Sequence, residues 1–100
     1  MLVVTGLIEV KAESREAAAM VAATMARATR EEPGCIAYGF YADVEAPDRL
    51  RVYEEWTDQA ALDAHFASPH MAEFWKNLGT VELVSMDVQK FEGGPKSPVG

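Results

Sequence analysis

Residues 2–11 read with a period of two: Val4, Ile8 and Val10 share one parity, Val3, Thr5 and Leu7 the other. That pattern predicts a strand. The period then lengthens. Val21, Met25 and Ala28 fall at i, i+4 and i+7, which predicts a helix over about 14–31. Ser14 is its expected N-cap, Glu16 suits its positive end, and its many alanines let it lie close to a sheet. Glu31-Glu32-Pro33-Gly34 stops it, because proline cannot continue the ladder and glycine accepts the turn. An aromatic-rich strand follows over 35–44, then a turn at Glu45-Ala46-Pro47-Asp48, then a strand over 50–56, together a hairpin. Asp58 caps a short helix carrying Leu62 and Phe66. Ser68-Pro69 restarts it, with serine as cap and proline at the first helical position. Met71, Phe74, Trp75 and Leu78 then fall at i, i+3, i+4 and i+7, and Gly79 ends the helix. A last strand covers 81–91, and 92–100 (EGGPKSPVG) reads as a loose tail.

The order strand, helix, strand, strand, helix, strand predicts one α+β domain over 1–91, a ferredoxin-like βαββαβ sandwich with helices on one face of the sheet. The other face of such a sheet should be polar. Here it is not: Val3 and Leu7 lie opposite Val4, Ile8 and Val10; Cys35, Ala37 and Tyr41 opposite Ile36, Tyr38 and Phe40; Val81, Leu83 and Phe91 opposite Val84, Met86 and Val88. Two apolar faces predict a second sheet against the first, most simply a second copy in a homodimer. The other account is a monomer with scattered surface apolars.

Composition narrows the function. The net charge is −7, and the nine basic residues are scattered, which argues against a nucleic-acid partner. The 49% hydrophobic and 25% charged residues describe a globular chain. No apolar run approaches the roughly 20 residues of a membrane span. Met1-Leu2-Val3-Val4 lacks the basic start of a signal peptide, and the single Cys35 fits a reducing compartment, so a cytoplasmic location is expected.

The chain carries an ordered series of short motifs: Glu32-Pro33-Gly34-Cys35, Glu54-Glu55-Trp56-Thr57-Asp58, Ala61-Leu62-Asp63-Ala64-His65, and Ser68-Pro69-His70 followed by Phe74. This series resembles the antibiotic biosynthesis monooxygenase family, including its small quinol-monooxygenase-like members, over about 2–91. The resemblance implies a homodimer whose sheets face each other as a dimeric α+β barrel, with a pocket between sheet and helices in each subunit. It also implies oxidation of a small aromatic molecule (a quinol, anthrone or polyphenol) by molecular oxygen, with no metal, flavin or haem. The same family holds haem-degrading enzymes and an isomerase of a phosphorylated sugar derivative. Matched on Ser-Pro-His-Met, the haem-ligating histidine of that branch falls on Trp75, and its tryptophan on His65; the asparagine it uses in the first strand is absent from Val4-Thr5-Gly6-Leu7-Ile8. Haem degradation is therefore disfavoured.

His65 is the candidate catalytic residue. A neutral imidazole near a buried stripe can remove a phenol proton; the alternative is a core-edge histidine that bonds the helix break. Trp56 would wall the pocket or anchor the core, and Glu54, on the same strand face, would be a base or a paired carboxylate. Phe66, Phe74 and Trp75 are candidates for contact with an aromatic ring, though packing needs the same spacing, and Tyr38 is a candidate to donate a hydrogen bond to a substrate oxygen. Tyr53 has the parity opposite to Trp56 and is expected to face the partner subunit. His65 and His70 lack an evident third metal ligand, so no metal is expected. A phosphorylated substrate would need a cation, for which Lys76 is the helical candidate. An isomerase in the same pocket and a non-catalytic ligand-binding dimer are the alternatives to the oxygenase.

Overall fold

The computed structural model describes residues 1–100. Its central strand is β1 (Leu2–Val10). β1 pairs antiparallel with β3 (Arg49–Trp56) on one side and with β4 (Leu83–Glu92) on the other. β2 (Cys35–Ala42) adds to the far edge of β3, so the sheet runs β2-β3-β1-β4. Helices α1 (Arg15–Thr29), α2 (Gln59–Phe66) and α3 (Pro69–Leu78) cover one face. This is the ferredoxin-like βαββαβ arrangement that the order of elements predicts.

The core lies between the layers. Leu2, Val4, Ile8 and Val10 from β1, with Val52 and Trp56 from β3, meet Ala18, Met25 and Ala26 of α1, Leu62 of α2, and Met71 and Phe74 of α3. In α1 the packed face is Ala18, Ala22, Met25, Ala26 and Thr29, turned from the expected Val21–Met25–Ala28 stripe. Methyl side chains at the centre let the helix approach the sheet, and Val21 is left half-buried at the margin.

Both later caps form as expected. Asp58 accepts from the amide of Ala61, and Ser68 from that of Met71 with Pro69 opening the helix. Ser14 does not cap α1 with its side chain. It closes a short 3₁₀ turn (Ala12–Ser14), and its hydroxyl instead accepts the amide of Glu82 at 2.9 Å, tying the start of α1 to the start of β4. Gly79 ends α3 with a right-handed φ of −63°, so the left-handed freedom of glycine is unused there. It is used at Gly34, where φ is +85° and the carbonyl accepts the amide of Thr57.

Face assignments change in β2 and β4: the register shift between Glu9 and Val10 sets Leu83 opposite Val10 on the helix side rather than with Phe91, and Ile36 is left exposed at the β2 bulge rather than packed with Tyr38 and Phe40. In β2 the register against β3 shifts between Cys35 and Ala37, so Cys35 stands opposite Trp56 and joins the helix side with Tyr38 and Phe40. One extra residue at a bulge reverses the parity of everything before it. Val81 precedes β4 and turns into the core rather than onto the open face. Leu7, Tyr41 and Phe91 do remain exposed on the face away from the helices. No helix or strand follows Glu92, yet the amide of Gly93 bonds the carbonyl of Met1 and Lys96 Nζ reaches Glu55 at 2.7 Å.

An alanine at Gly34 would carry its Cβ to within 2.5 Å of Ala61 Cβ, in a backbone conformation that L residues avoid. Gly34→Ala is expected to cost about 2 kcal/mol of unfolding free energy. Urea unfolding monitored through the tryptophans checks it.

Candidate functional site

α2 and α3 sit over the inner strands and leave the helix-side face of β4 partly uncovered, with Met86 and Val88 accessible. The gap is a cavity of about 370 Å³, within the usual range for small-molecule sites. Val4, Ile8, Phe40 and Val52 form its floor, Leu62, Met71 and Phe74 its roof, and Met86 and Val88 one wall. Twelve of its sixteen lining residues are hydrophobic, so an aromatic ring fits its chemistry better than a polar molecule does. The polar members are Glu54, His65, Gln89 and Lys90.

His65 is placed by the break between the two helices. It lies in the last turn of α2, and the Ser68 hydroxyl that caps α3 also donates to the His65 carbonyl at 2.7 Å. Its ring packs against Trp56 and Tyr38, with centroids 4.8 and 5.6 Å away, and the residue is 1% exposed. Nδ1 lies 2.6 Å from Oε2 of Glu32, and the same oxygen lies 2.7 Å from Nε2 of His70. Burial lowers the His65 pKa below its ordinary 6.5, against the opposing pull of Glu32. His65 is therefore neutral at pH 7, with a proton on Nδ1 facing the carboxylate and a basic nitrogen at Nε2.

Glu54 is buried and accepts the indole N–H of Trp56 at 2.9 Å. Burial pushes its carboxyl up to about 7; the indole bond opposes this, and the charge of Glu32 adds to it. Burial also holds the Tyr38 phenol far above its usual range, so it stays a neutral hydrogen-bond donor. Phe74 stacks near Phe40, centroids 6.3 Å apart, while Phe66 and Trp75 line the cavity with half their surface exposed.

Six of the seven sequence candidates thus come together: His65, Glu54, Tyr38, Phe66, Phe74 and Trp75 all line the cavity. Trp56 does not. It is wholly buried beneath the site, where it orients Glu54 and backs His65. Lys76 is also absent from the lining, and the cation there is Lys90, on the helix-side parity of β4 with Met86 and Val88. That alternation was visible in the sequence. Glu32 was missed because it lies 33 residues before His65, in a turn whose proline and glycine dominate the local signal.

Glu32 also corrects the expectation that the histidines lack a third ligand: Glu32, His65 and His70 hold their donor atoms within 4.8 Å of one another. The oxygen stands at hydrogen-bond distance from each nitrogen, whereas a metal bonded at roughly 2.0–2.1 Å keeps its ligands about 3 Å or more apart. As arranged, the three groups are satisfied by one another.

Tyr53 takes the opposite face, as its parity predicts, and donates to Glu55. Lys96 and Tyr53 hold the Glu55 carboxyl below its usual range.

Because the Glu54 pKa is raised on folding, its contribution to stability is fully present below about 4.5 and is lost as pH rises through about 7. Glu54→Gln keeps an acceptor for the indole and removes the titration. It is expected to flatten the stability profile over this interval and to be more stable than the parent at pH 8, by up to about 3 kcal/mol. Denaturant unfolding at pH 5 and pH 8 measures this.

Known proteins match this fold and sequence. The antibiotic biosynthesis monooxygenase profile matches residues 1–77. An uncharacterized protein of Synechocystis sp. is 40% identical over 73 residues, which are 73% of this chain and 50% of that protein, so the chain spans about half the length of this relative. A conserved protein of Methanosarcina mazei superposes with a TM-score of 0.85 at 28% identity, covering 93% of this chain and 92% of the other. A Deinococcus radiodurans protein named for the same family superposes with a TM-score of 0.92, covering 100% and 99% of the two chains; at 23% identity it speaks to the fold alone. The chain belongs to the antibiotic biosynthesis monooxygenase family.

Proposed function

We propose that this chain is a cofactor-independent monooxygenase, acting as a homodimer on a small electron-rich aromatic of the quinol, anthrone or polyphenol class. The observation that carries the reading is a buried, neutral imidazole, His65, lining an apolar cavity wide enough for an aromatic ring system. Electron-rich phenolates give an electron to oxygen readily, and the corresponding phenols do not. The task left to the protein is to remove a proton, orient the ring and keep water away.

The substrate O–H proton, or that of the enol form of an anthrone, passes to Nε2 of His65. The phenolate then reduces oxygen, and a carbon–oxygen bond forms. For an anthrone the balance is complete: the methylene carbon becomes a carbonyl with one oxygen atom, and the other leaves as water with the two methylene hydrogens. Tyr38, neutral and beside His65, is the donor for a developing oxyanion. Phe74, Phe66 and Trp75 hold the ring. The dimer is supported by the exposed Leu7, Tyr41 and Phe91 on the uncovered sheet face.

One observation favours a second reading. Lys90 supplies the cation that a phosphorylated isomerase substrate would require. Turnover without oxygen consumption, abolished in Lys90→Met, is the result that would select it.

The oxygenase reading is tested by oxygen uptake with a panel of anthrones and hydroquinones, each measured against its own autoxidation. Saturable uptake above the blank is expected. His65→Ala should lower it by about 10²–10⁴-fold while eluting at the dimer volume on size exclusion. Uptake equal to the blank throughout the panel would overturn the reading.

A further inference from the structure

One carboxylate oxygen serves two imidazoles in this chain. Glu32 Oε2 lies 2.6 Å from Nδ1 of His65 and 2.7 Å from Nε2 of His70. An ionised carboxylate can only accept, so each of those nitrogens carries the hydrogen. The three side chains come from different places: the turn after α1, the last turn of α2 and the first turn of α3. Their accessibility is graded, at 1% for His65, 13% for Glu32 and 25% for His70.

An imidazole in water exchanges its proton freely between its two nitrogens. A buried one takes the tautomer that its neighbours dictate. Here Nδ1 is committed to Glu32, and Nε2 has no bond to the protein, on a residue that lines the cavity.

We propose that Glu32, held from the solvent side by His70, is the positioning residue of this site: it confines His65 to the tautomer whose bare Nε2 serves the cavity. The proposal rests on the reading of His65 as the base and names what makes it one. The carboxylate does a second thing. When His65 takes a substrate proton on Nε2 it becomes an imidazolium, and the anion 2.6 Å from Nδ1 stabilises that charge. No proton passes to Glu32 in this step: the substrate O–H bond breaks, the Nε2–H bond forms, and Nδ1–H stays where it was.

Other titratable groups lie around His65, and two of them, Glu32 and His70, bear on its charge. Glu32 favours the protonated ring and His70 opposes it. Tyr38 on β2 packs against it as a neutral phenol, and Glu54 on β3 shares the cavity. Cys35, with its thiol pushed up first by burial and then by Glu32, stays uncharged nearby. Burial is the largest influence on His65 and keeps the ring neutral at rest. Glu32 offsets part of that burial, so that protonation stays within reach during turnover.

The test reads the tautomer directly, by ¹⁵N–¹H correlation spectra of the histidine rings in the full chain at pH 7.5, with no substrate present. In the parent protein, His65 should show hydrogen on Nδ1 and a bare Nε2, and His70 hydrogen on Nε2. In Glu32→Ala, His65 should shift toward the form with hydrogen on Nε2, which is favoured for histidine in water. Oxygen uptake with 1,4-naphthohydroquinone as the probe should then fall at least 10²-fold in kcat with KM changed little. Glu32→Gln keeps an acceptor without the charge, and should retain the parent tautomer with an intermediate kcat. That pairing also separates positioning from a folding defect. A parent His65 with hydrogen on Nε2, or an unchanged tautomer in Glu32→Ala, overturns the proposal, as does full kcat in Glu32→Ala. If the parent shows no uptake, the oxygenase reading fails by itself, and the tautomer spectra still decide the role of Glu32.

Discussion

A fully buried imidazole must find an acceptor for its ring N–H, and much of this molecule follows from how His65 meets that demand. The acceptor is Glu32, in a turn that exists because Pro33 ends α1 and Gly34 takes a left-handed backbone. The ring is where it is because α2 stops at Phe66 and Ser68-Pro69 begin a new helix, with the Ser68 hydroxyl bridging the break. Trp56, behind the ring, closes the core and directs Glu54 at once. A change in the turn, the helix break or the indole would reach the cavity through the same histidine.

Two carboxylates stand close to the site, Glu54 in the cavity lining and Glu32 behind His65, and their partners differ. Glu32 shares one oxygen between two imidazoles. Glu54 has only an indole N–H and is carried toward neutrality. It is burial beside a lone N–H donor that raises Glu54. A phenol entering this space meets a basic nitrogen and neutral donors, with Lys90 as the cation in the lining.

Local patterns were legible in the sequence, and long-range consequences were not. The caps at Asp58 and Ser68 were readable because a cap is a bond between residues two or three apart. Most of the cavity lining was readable as well, since the parity of β2 and β3 and the helical spacing of α3 aim those residues inward. Cys35 was misplaced because a bulge is a property of a pair of strands and leaves no mark on one of them. Ser14 carried the right chemistry for a cap, but the amide of Glu82 claimed its hydroxyl. Between wall and core anchor, Trp56 proves to be the core anchor, a choice parity cannot make because it tells which face a residue takes and is silent on how deep it lies. Glu32 became visible as a functional residue only when the fold brought it to the histidines.

The position of β1 has a consequence for how the chain is made. Of the four strands it is made before the two it pairs with, and it lies between β3 and β4, with Leu2 paired to Trp56 on one side and Glu92 on the other. Neither edge can be satisfied until β3 or β4 has been made, so β1 waits with both rows of backbone groups unpaired. The hairpin of β2 and β3 covers one row, and the other stays open until β4 has been made. An unpaired strand of this kind is a template for pairing with another chain until its own neighbours cover it. Its final strand acts as the closure that ends that exposure.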